Sequence, residues 1–359
     1  MAQIACLNCG RPYPESGLPH VCPDCGGLFD FVDLPAFETV EGSVSGLWRF
    51  APTFGLPAET PQFSLGEGGT PLVWSEAFGR SVAFKCEYLN PSGSFKDRGS
   101  AVLVSALAGR GVQAAVEDSS GNAGASFAAY AARAGVKARV FVPGSASGPK
   151  LQQIEAYGAQ VVPVPGERVR ATGAALEAVQ QGAAYASHAY LPFNLPGYAT
   201  LAYELYETFG EAPGAVVIPA GQGGLLLGVG RGFQSLRRSG LIERLPLLIG
   251  VQAAACAPLW AEINGQPWNG SQPTLAEGVA VSQPLRAEAV LAVVKESGGR
   301  FVAVDESFII PGRDELARQG LYVELTSALV WRALQETLPG LTDPVVAVLT
   351  GSGLKSSLL

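Results

Sequence analysis

The sequence predicts an α/β fold, in which short buried strands alternate with alanine-rich helices in two successive halves. Apolar runs such as residues 114–116 and 138–142 have the length of buried strands, and small-residue segments such as 123–134 favour helices. Strands that alternate with helices along a chain are typical of parallel sheets flanked by helices. The 359 residues are also enough for two domains, at a prior of roughly 150 residues per domain.

The predicted elements follow one another in a regular order. In the first half, strands are expected at 82–84, 114–116, 138–142 and 160–164, and helices at 99–108, 123–134, 150–157 and 171–180. In the second half, strands are expected at 215–218, 247–252 and 345–349, and helices at 197–209, 225–238, 284–297, 311–319 and 326–337. A seam between the halves is expected near 185–196, and an ordered loop, containing several prolines and glycines, over 30–80.

The composition excludes several classes of protein. Hydrophobic residues make up 48% of the chain and charged residues 15%, which excludes a disordered chain. A net charge of −7 gives no general attraction to nucleic acid. No apolar run approaches the roughly 18 residues of a membrane helix, and no secretion signal is recognisable. We therefore expect a cytoplasmic protein with neither nucleic-acid nor membrane partners.

Four of the six cysteines form two C-x-x-C pairs near the N-terminus. Cys6 and Cys9 are followed after twelve residues by Cys22 and Cys25, and a glycine comes directly after each pair. Four thiolates at this spacing can enclose one Zn²⁺ tetrahedrally. The pattern therefore predicts a zinc-ribbon-like segment over residues 1–35, with a metal-free version of the same turns as the alternative.

Lys96 stands at the junction of a predicted turn and a predicted helix. Residues 90–94 read Asn-Pro-Ser-Gly-Ser, which favours a turn, and an apolar helical segment follows. The positive end of a helix favours the neutral amine of a lysine, which can form a Schiff base with a carbonyl compound. Because most lysines are simply solvated, this position alone leaves both interpretations open.

The segment 118–124, Asp-Ser-Ser-Gly-Asn-Ala-Gly, lies between a predicted strand and a predicted helix. Small hydroxyl residues and glycine at such a turn expose backbone N–H groups, which can bind a carboxylate or a phosphate. Ser and Asn are also common helix N-caps without any ligand. The segment therefore predicts either an anion site or an ordinary cap.

Two further loops follow strands of the second half. A glycine-rich loop after the strand at 215–218 favours close wrapping around a phosphate, and its residues are Gly221, Gln222, Gly223 and Gly224. It matches neither the dinucleotide pattern nor the P-loop pattern. Thr350 follows the last strand, where ligands commonly bind in α/β proteins.

Together these motifs carry a family resemblance. N-P-S-G-S-F-K-D-R-G, S-S-G-N-A-G, G-Q-G-G-L and T-G-S-G-L-K occur in this order over about residues 64–355. They resemble the fold type II pyridoxal-phosphate enzymes and, within them, the threonine synthases. The resemblance implies two open, twisted, mostly parallel sheets flanked by helices. It also implies a pyridoxal-phosphate-dependent carbon–oxygen lyase, and the N-terminal four-cysteine segment is common in that family.

The resemblance implies which residues bind the cofactor. Lys96 would hold pyridoxal 5'-phosphate as an internal aldimine, and Asn122 would donate a hydrogen bond to its ring hydroxyl. Residues 221–224 would surround its phosphate, and Thr350 would face its pyridine nitrogen. A hydroxyl at that place does not hold the nitrogen protonated, which suits elimination and replacement reactions.

The resemblance also implies a substrate and a reaction. Ser119 and Ser120 would bind the substrate carboxylate, and Lys85 would face a substrate phosphate. The implied reaction is β,γ-replacement on O-phosphohomoserine, which yields threonine and phosphate, with Lys96 moving the protons. However, Ser120 and Leu225 match serine and threonine dehydratases better than threonine synthases. A dehydratase, or a related β-elimination or β-replacement enzyme, therefore stays open as the alternative.

The resemblance further suggests how the chain is organised. After the ribbon-like segment, residues 82–190 are expected to form a smaller domain that carries the Schiff-base lysine. Residues 36–81 and 191–359 are expected to form a larger domain that carries the phosphate loop. A homodimer is expected, because such enzymes are commonly dimeric.

Overall fold

The computed structural model describes residues 4–40 and 45–356, and the chain divides into two compact units. Of the described residues, 4–40, 45–68, 96–197 and 356 belong to the first unit, and Gly69–Phe95 and Tyr198–Lys355 form the second.

The described residues form strands and helices in alternation. The strands are β1 Ile4–Cys6, β2 Phe29–Phe31, β3 Leu72–Ala77, β4 Arg80–Lys85, β5 Ala114–Glu117, β6 Lys137–Pro143, β7 Gln160–Val164, β8 Ala184–Tyr185, β9 Ala215–Pro219, β10 Leu247–Ala253, β11 Arg300–Val304 and β12 Val345–Val348. The α-helices are α1 Lys96–Gly109, α2 Asn122–Ala134, α3 Pro149–Ala156, α4 Arg168–Gln180, α5 Leu195–Phe209, α6 Gly224–Arg238, α7 Pro258–Ile263, α8 Ala287–Glu296, α9 Ile309–Arg318 and α10 Leu325–Thr337. Short 3₁₀ helices lie at Gly46–Phe54, Glu87–Leu89, Pro192–Asn194, Glu277–Val279, Glu306–Phe308, Leu338–Gly340 and Gly353–Lys355. No helix in this part of the chain is both long enough and apolar enough to span a membrane.

The first unit is built on a four-stranded sheet in the order β7-β6-β5-β8, in which all neighbours are parallel. The carboxyl ends of parallel strands meet at one edge of the sheet, and ligands of α/β proteins bind at that edge. The segments that follow β5 and β8 therefore begin at the same edge. Helices α1 and α2 consist of small, mostly buried residues, which allows them to pack closely.

The N-terminal part of the first unit is a small antiparallel hairpin of β1 and β2. Arg110, just after α1, attaches this part to the rest of the unit. Its Nη1, whose two N–H groups are shared among three acceptors, lies within hydrogen-bond distance of the backbone carbonyls of Pro14, Glu15 and Gly17. The guanidinium also lies over the ring of Tyr13, 5.1 Å from the ring centroid.

The second unit is built on a six-stranded sheet in the order β11-β10-β9-β12-β4-β3. All neighbours are parallel except the edge strand β3, which is antiparallel to β4. The inner strands are continuous apolar runs, as expected for a parallel sheet buried on both faces. Val217, Ile249 and Val345 belong to one buried cluster with residues of α9 and α10.

The predicted α/β class and the mostly parallel sheets are confirmed. Five strands were not predicted individually. Strands β1 and β2 lie in or next to the ribbon-like segment, β3 lies in the stretch expected to be a loop, β8 lies beside the expected seam, and β11 lies between two predicted helices. The division of the chain also differs from the predicted one. Residues 82–95 were expected in the smaller domain, but β4 pairs with β12, through Ala83 and Val346, and thus belongs to the second unit.

Candidate active site

The serine-rich turn of the first unit joins β5 to α2, which begins at Asn122. The Ser119 Oγ accepts a hydrogen bond from the backbone N–H of Gly121, which closes a tight turn. A Cβ on Gly124 would lie 1.8 Å from the carbonyl oxygen of Ser119, so only glycine fits there. With Ser120, these residues form a compact turn at the N-terminus of a 13-residue helix. The backbone N–H groups of such a helix start can bind an anion.

Lys96 is the first residue of α1 and is half-buried. The next residue, Asp97, is fully buried and accepts a hydrogen bond from Ser126 of α2 at 2.6 Å. The Oγ atoms of Ser126 and Ser100 lie 2.8 Å apart, within hydrogen-bond distance, so two polar contacts fix the start of α1 against α2. These contacts hold the start of α1, where Lys96 lies, against α2, which is the helix that follows the serine-rich turn.

A buried acid–base pair accompanies these residues and was not predicted. The Oε1 of Glu117, the last residue of β5, lies 2.9 Å from the Nδ1 of His188. Burial raises the pKa of Glu117 to about 7, although the charges of Arg168 and Lys96 lower it. Burial lowers the pKa of His188 well below its usual value, and the charge of Lys96 acts in the same direction. An acidic residue that closes an otherwise apolar strand was the signal available in the sequence.

The glycine-rich loop of the second unit lies between β9 and α6, which begins at Gly224. Gly223 has a φ of 76°, in the left-handed region, and a Cβ there would lie 2.6 Å from Val290. A Cβ on Gly221 would lie 2.8 Å from the carbonyl oxygen of Gly278. The loop therefore needs glycine for its backbone path, and it presents the N-terminus of a 15-residue helix.

Gln222 contributes to this loop through its backbone. Its side-chain Oε1 accepts a hydrogen bond from the backbone N–H of Leu285 at 3.0 Å. This oxygen is therefore already hydrogen-bonded to the protein itself. This bond fixes the loop against the segment that precedes α8. We therefore expect the main chain of Gln222 to face a bound phosphate.

We predict that Gly223→Ala weakens binding of the cofactor phosphate by at least about tenfold. The added Cβ would collide with Val290 and displace the loop. Gly240→Ala is the matched control, because Gly240 also has a positive φ, of 72°, but no atom of the described residues lies within 4 Å of its Cβ position. Titration of each purified variant with pyridoxal phosphate measures the dissociation constant. Equal affinities of the two variants would contradict a phosphate site at this loop.

Thr350 follows β12 in the second unit and is buried. Its Oγ1 lies 2.8 Å from the Oγ of Ser327, which also accepts the backbone N–H of Gly351 at 3.0 Å. The carbonyl of Thr350 accepts a hydrogen bond from the backbone N–H of Phe95. Next to it, Ser94 and Gly351 form an isolated antiparallel β-bridge. The hydroxyl of Thr350 is therefore oriented by a neighbouring hydroxyl, and its loop is tied to residues 94–95.

Lys85 closes β4 in the second unit, and its side chain is only 5% exposed. Its Nζ donates to the Oε2 of Glu204 and to the carbonyl oxygen of Thr70, each at 2.6 Å. The other oxygen of Glu204 accepts the backbone N–H of Gly69 at 2.7 Å. This buried ion pair holds residues 69–70 against α5. The geometry does not support the prediction that Lys85 presents its charge to a substrate phosphate.

The four N-terminal cysteines come together in the first unit. The ligand atoms of Cys6, Cys9, Cys22 and Cys25 all lie within 4.8 Å of one another. This arrangement fits one tetrahedral Zn²⁺ bound by four thiolates. His20 packs edge-on against aromatic rings and does not belong to the cluster.

We predict that the purified protein contains about one zinc ion per chain, and that Cys22→Ser removes it. Loss of one thiolate leaves an incomplete shell, and zinc binding contributes directly to the folding of such segments. Elemental analysis of protein produced with added zinc measures the content. Cys256→Ser is the matched control, because Cys256 is also buried but lies outside the cluster. Zinc-free wild-type protein would contradict the metal site.

The structure places the predicted ligand-binding residues in two sets. In the first unit, Lys96 and Asn122 are the first residues of two neighbouring helices, and the turn at 119–121 adjoins Asn122. In the second unit, the loop at 221–224 begins a helix, and Thr350 follows a strand of the same sheet. Within the second unit, the glycine loop, whose space a Cβ would fill, fits a phosphate group such as the one that pyridoxal phosphate carries. Within the first unit, the half-buried lysine is an amine that can react with a carbonyl group such as the one of pyridoxal phosphate.

The sequence is similar to known proteins over most of the chain. The family model described as "Pyridoxal-phosphate dependent enzyme" matches residues 63–351. A threonine synthase from Methanocaldococcus jannaschii is 31% identical, and the alignment covers 98% of this chain and 92% of that protein. A threonine synthase from Mycobacterium leprae is 34% identical, with 81% of this chain and 83% of that protein covered.

Solved structures agree with the fold. A threonine deaminase from T.th. superposes with a TM-score of 0.68 at 28% identity, covering 80% of this chain and 94% of its own. A maize serine racemase superposes with a TM-score of 0.70 at 20% identity, covering 80% of this chain and 89% of its own, and supports the fold alone.

Proposed function

Because the chain belongs to the family of pyridoxal-phosphate-dependent enzymes and is a lyase of that family, we propose that it acts as a threonine synthase. The proposed reaction converts O-phosphohomoserine and water into threonine and phosphate. The observation that carries the proposal is the similarity to threonine synthases, which extends over 98% of the chain.

Lys96 is the residue proposed to bind the cofactor covalently. Pyridoxal phosphate, when bound, supplies the electron-withdrawing group that stabilises negative charge on a substrate amino acid. The amine of Lys96 would remove and return protons at the Cα and Cβ of the substrate. Its place at the N-terminus of α1 supports this role, because the positive end of a helix favours the neutral amine.

Other residues of the chain would orient the cofactor. The main chain of residues 221–224 would bind its phosphate, at a loop whose path requires glycine. Asn122 would donate a hydrogen bond to its ring hydroxyl. Thr350, oriented by Ser327, would face its pyridine nitrogen with a hydroxyl rather than a carboxylate. This favours elimination and replacement reactions, because the nitrogen is not held protonated.

Ser119 and Ser120 would bind the carboxylate of the substrate. Their turn precedes the N-terminus of α2, where backbone N–H groups and the helix dipole favour an anion. Lys85 is not assigned to the substrate phosphate, because Glu204 and the carbonyl of Thr70 engage its ammonium group.

Product analysis tests the proposal directly. Cofactor-loaded protein is incubated separately with O-phosphohomoserine, threonine and serine, and phosphate, threonine, ammonia and 2-oxo acid are assayed. We expect phosphate and threonine in equal amounts from O-phosphohomoserine, and about 10²–10⁴-fold slower formation of both with Lys96→Ala. Ammonia and 2-oxo acid from threonine or serine, with O-phosphohomoserine unchanged, would identify a dehydratase instead.

Three further features belong to the same proposal. One structural Zn²⁺ would occupy the four-cysteine cluster, whose ligand atoms lie within 4.8 Å of one another. A homodimeric state and a cytoplasmic location remain predictions. Sedimentation of the purified protein at several concentrations tests the first of these two.

A further inference from the structure

We propose that Glu117 and His188 form an acid–base pair that exchanges protons with the amine of Lys96. The inference rests on the proposed function only in that Lys96 is taken as the cofactor-binding lysine. It adds two positioning residues, which act through Lys96, to the residues considered above. Neither belongs to the motifs that carry the family resemblance.

The pair lies at the edge of the sheet where a ligand is expected. Glu117 is the last residue of β5, and His188 comes three residues after the end of β8. The two strands are parallel neighbours, with Val116 opposite Tyr185, so both residues are at the carboxyl edge of the sheet. The serine-rich turn proposed to bind the substrate carboxylate begins at the same place.

The bonding of the pair leaves one buried carboxylate oxygen without a partner in the described part of the chain. Glu117 is 1% exposed, and its Oε2 has no hydrogen-bond partner among the residues that the structure describes. The imidazole of His188 is bound through Nδ1, and its side chain is 17% exposed. A buried carboxylate oxygen without a partner costs free energy, so such atoms in a folded protein call for an explanation. A carboxylate that accepts and releases a proton needs an oxygen of this kind.

The charges of several elements influence the pair electrostatically. Lys96 of α1 and Arg168 of α4 are the cations that act on it. Asp118 is the neighbouring anion, but its two oxygens accept hydrogen bonds from Tyr185 and Thr172. The phenol of Tyr185 is therefore also engaged. Of the two cations, Lys96 is the one proposed to change its protonation during the reaction.

The proton exchange balances without any added reagent. After the amine of Lys96 has taken a proton from the substrate, its ammonium would pass one proton to the carboxylate of Glu117. An N–H bond breaks and an O–H bond forms, which leaves a neutral amine and a carboxylic acid. His188, neutral and donating through Nδ1–H, would stabilise the carboxylate before the transfer. The reverse transfer returns the proton.

The exchange predicts a defined pH dependence. Burial raises the pKa of Glu117 to about 7. Above this pH the carboxylate is ionised and accepts a proton from Lys96. Below it the group is already protonated and cannot accept one. Turnover should therefore fall on the acidic side of about pH 7.

Nuclear magnetic resonance of the imidazole groups tests the pair in the protein without cofactor. The chain has only two histidines, so ¹⁵N-histidine labelling gives two imidazoles, and His20→Gln assigns them. We expect His188 to stay neutral and to show an inflection near pH 7 that reports Glu117. Glu117→Gln should remove the inflection. Lys96→Ala should move it to higher pH, because the charge of Lys96 lowers the pKa of Glu117. An inflection that Lys96→Ala leaves in place would overturn the proposal.

The pH profile of the loaded enzyme gives the second readout. Glu117→Gln should lower turnover by about 10²-fold and remove the acidic limb. His188→Leu should move the limb to higher pH, because the carboxylate loses its donor, and His188→Asn should partly restore it. A Glu117→Gln enzyme that keeps the wild-type limb would overturn the proposal. The magnetic resonance test involves no substrate, so an unexpected reaction product would not affect its result.

Discussion

Replacing Lys96 by alanine is expected to abolish the visible absorbance of covalently bound cofactor and to lower turnover by about 10²–10⁴-fold. The variant loses both the amine that binds the cofactor and the group that moves protons. Its fold should be unaffected, because a positive charge at the start of α1 contributes nothing favourable to the helix. Circular dichroism and absorbance of the same samples separate loss of chemistry from loss of structure.

Chemical mapping identifies the lysine independently of activity. The chain contains only six lysines, so borohydride reduction of the loaded protein followed by peptide analysis gives an unambiguous position. We expect all of the reduced cofactor at Lys96. Lys137→Ala is the control, because Lys137 is an exposed residue that opens β6, and its loss should change nothing. Reduced cofactor on any other lysine would contradict the assignment.

Most helices and strands could be predicted, because the spacing of apolar residues that indicates them involves only neighbours in sequence. The alanine-rich helices and the apolar inner strands have a clear periodicity, and α2 was predicted to within one residue. Strand β3 was missed because it is an edge strand, half exposed and interrupted by polar residues after a stretch rich in glycine and proline. Its pairing with β4 depends on tertiary contacts that the local pattern does not show.

Side-chain partners that are distant in sequence could not be predicted in the same way. Glu117 and His188 are separated by 71 positions, and the sheet alone brings them together. Lys85 and Glu204 are separated by 119 positions. A lysine near a family motif was interpreted as a ligand for the substrate, whereas its position shows a buried ion pair. Buried ion pairs such as Lys85–Glu204 decide which cationic side chains can reach a ligand, and these pairs form only when the chain folds.

The ion pair of Lys85 should matter for stability. Lys85→Met would leave the carboxylate of Glu204 buried without its cation, and breaking a buried pair in this way costs about 3–5 kcal/mol. We expect the free energy of unfolding, measured by denaturant titration, to fall by that amount. Lys137→Met is the control, because an exposed lysine should change it by less than about 0.5 kcal/mol.

A double variant separates the structural role of Lys85 from a role in substrate binding. Lys85→Met with Glu204→Leu removes both charges, and replacement of a buried pair by apolar residues is often nearly neutral. We expect it to recover most of the lost stability. Since Lys85 is engaged inside the protein, the double variant should lose kcat/KM equally for phosphorylated and unphosphorylated substrates. A loss confined to the phosphorylated substrate would instead show that the ammonium leaves Glu204 during turnover and binds the substrate phosphate.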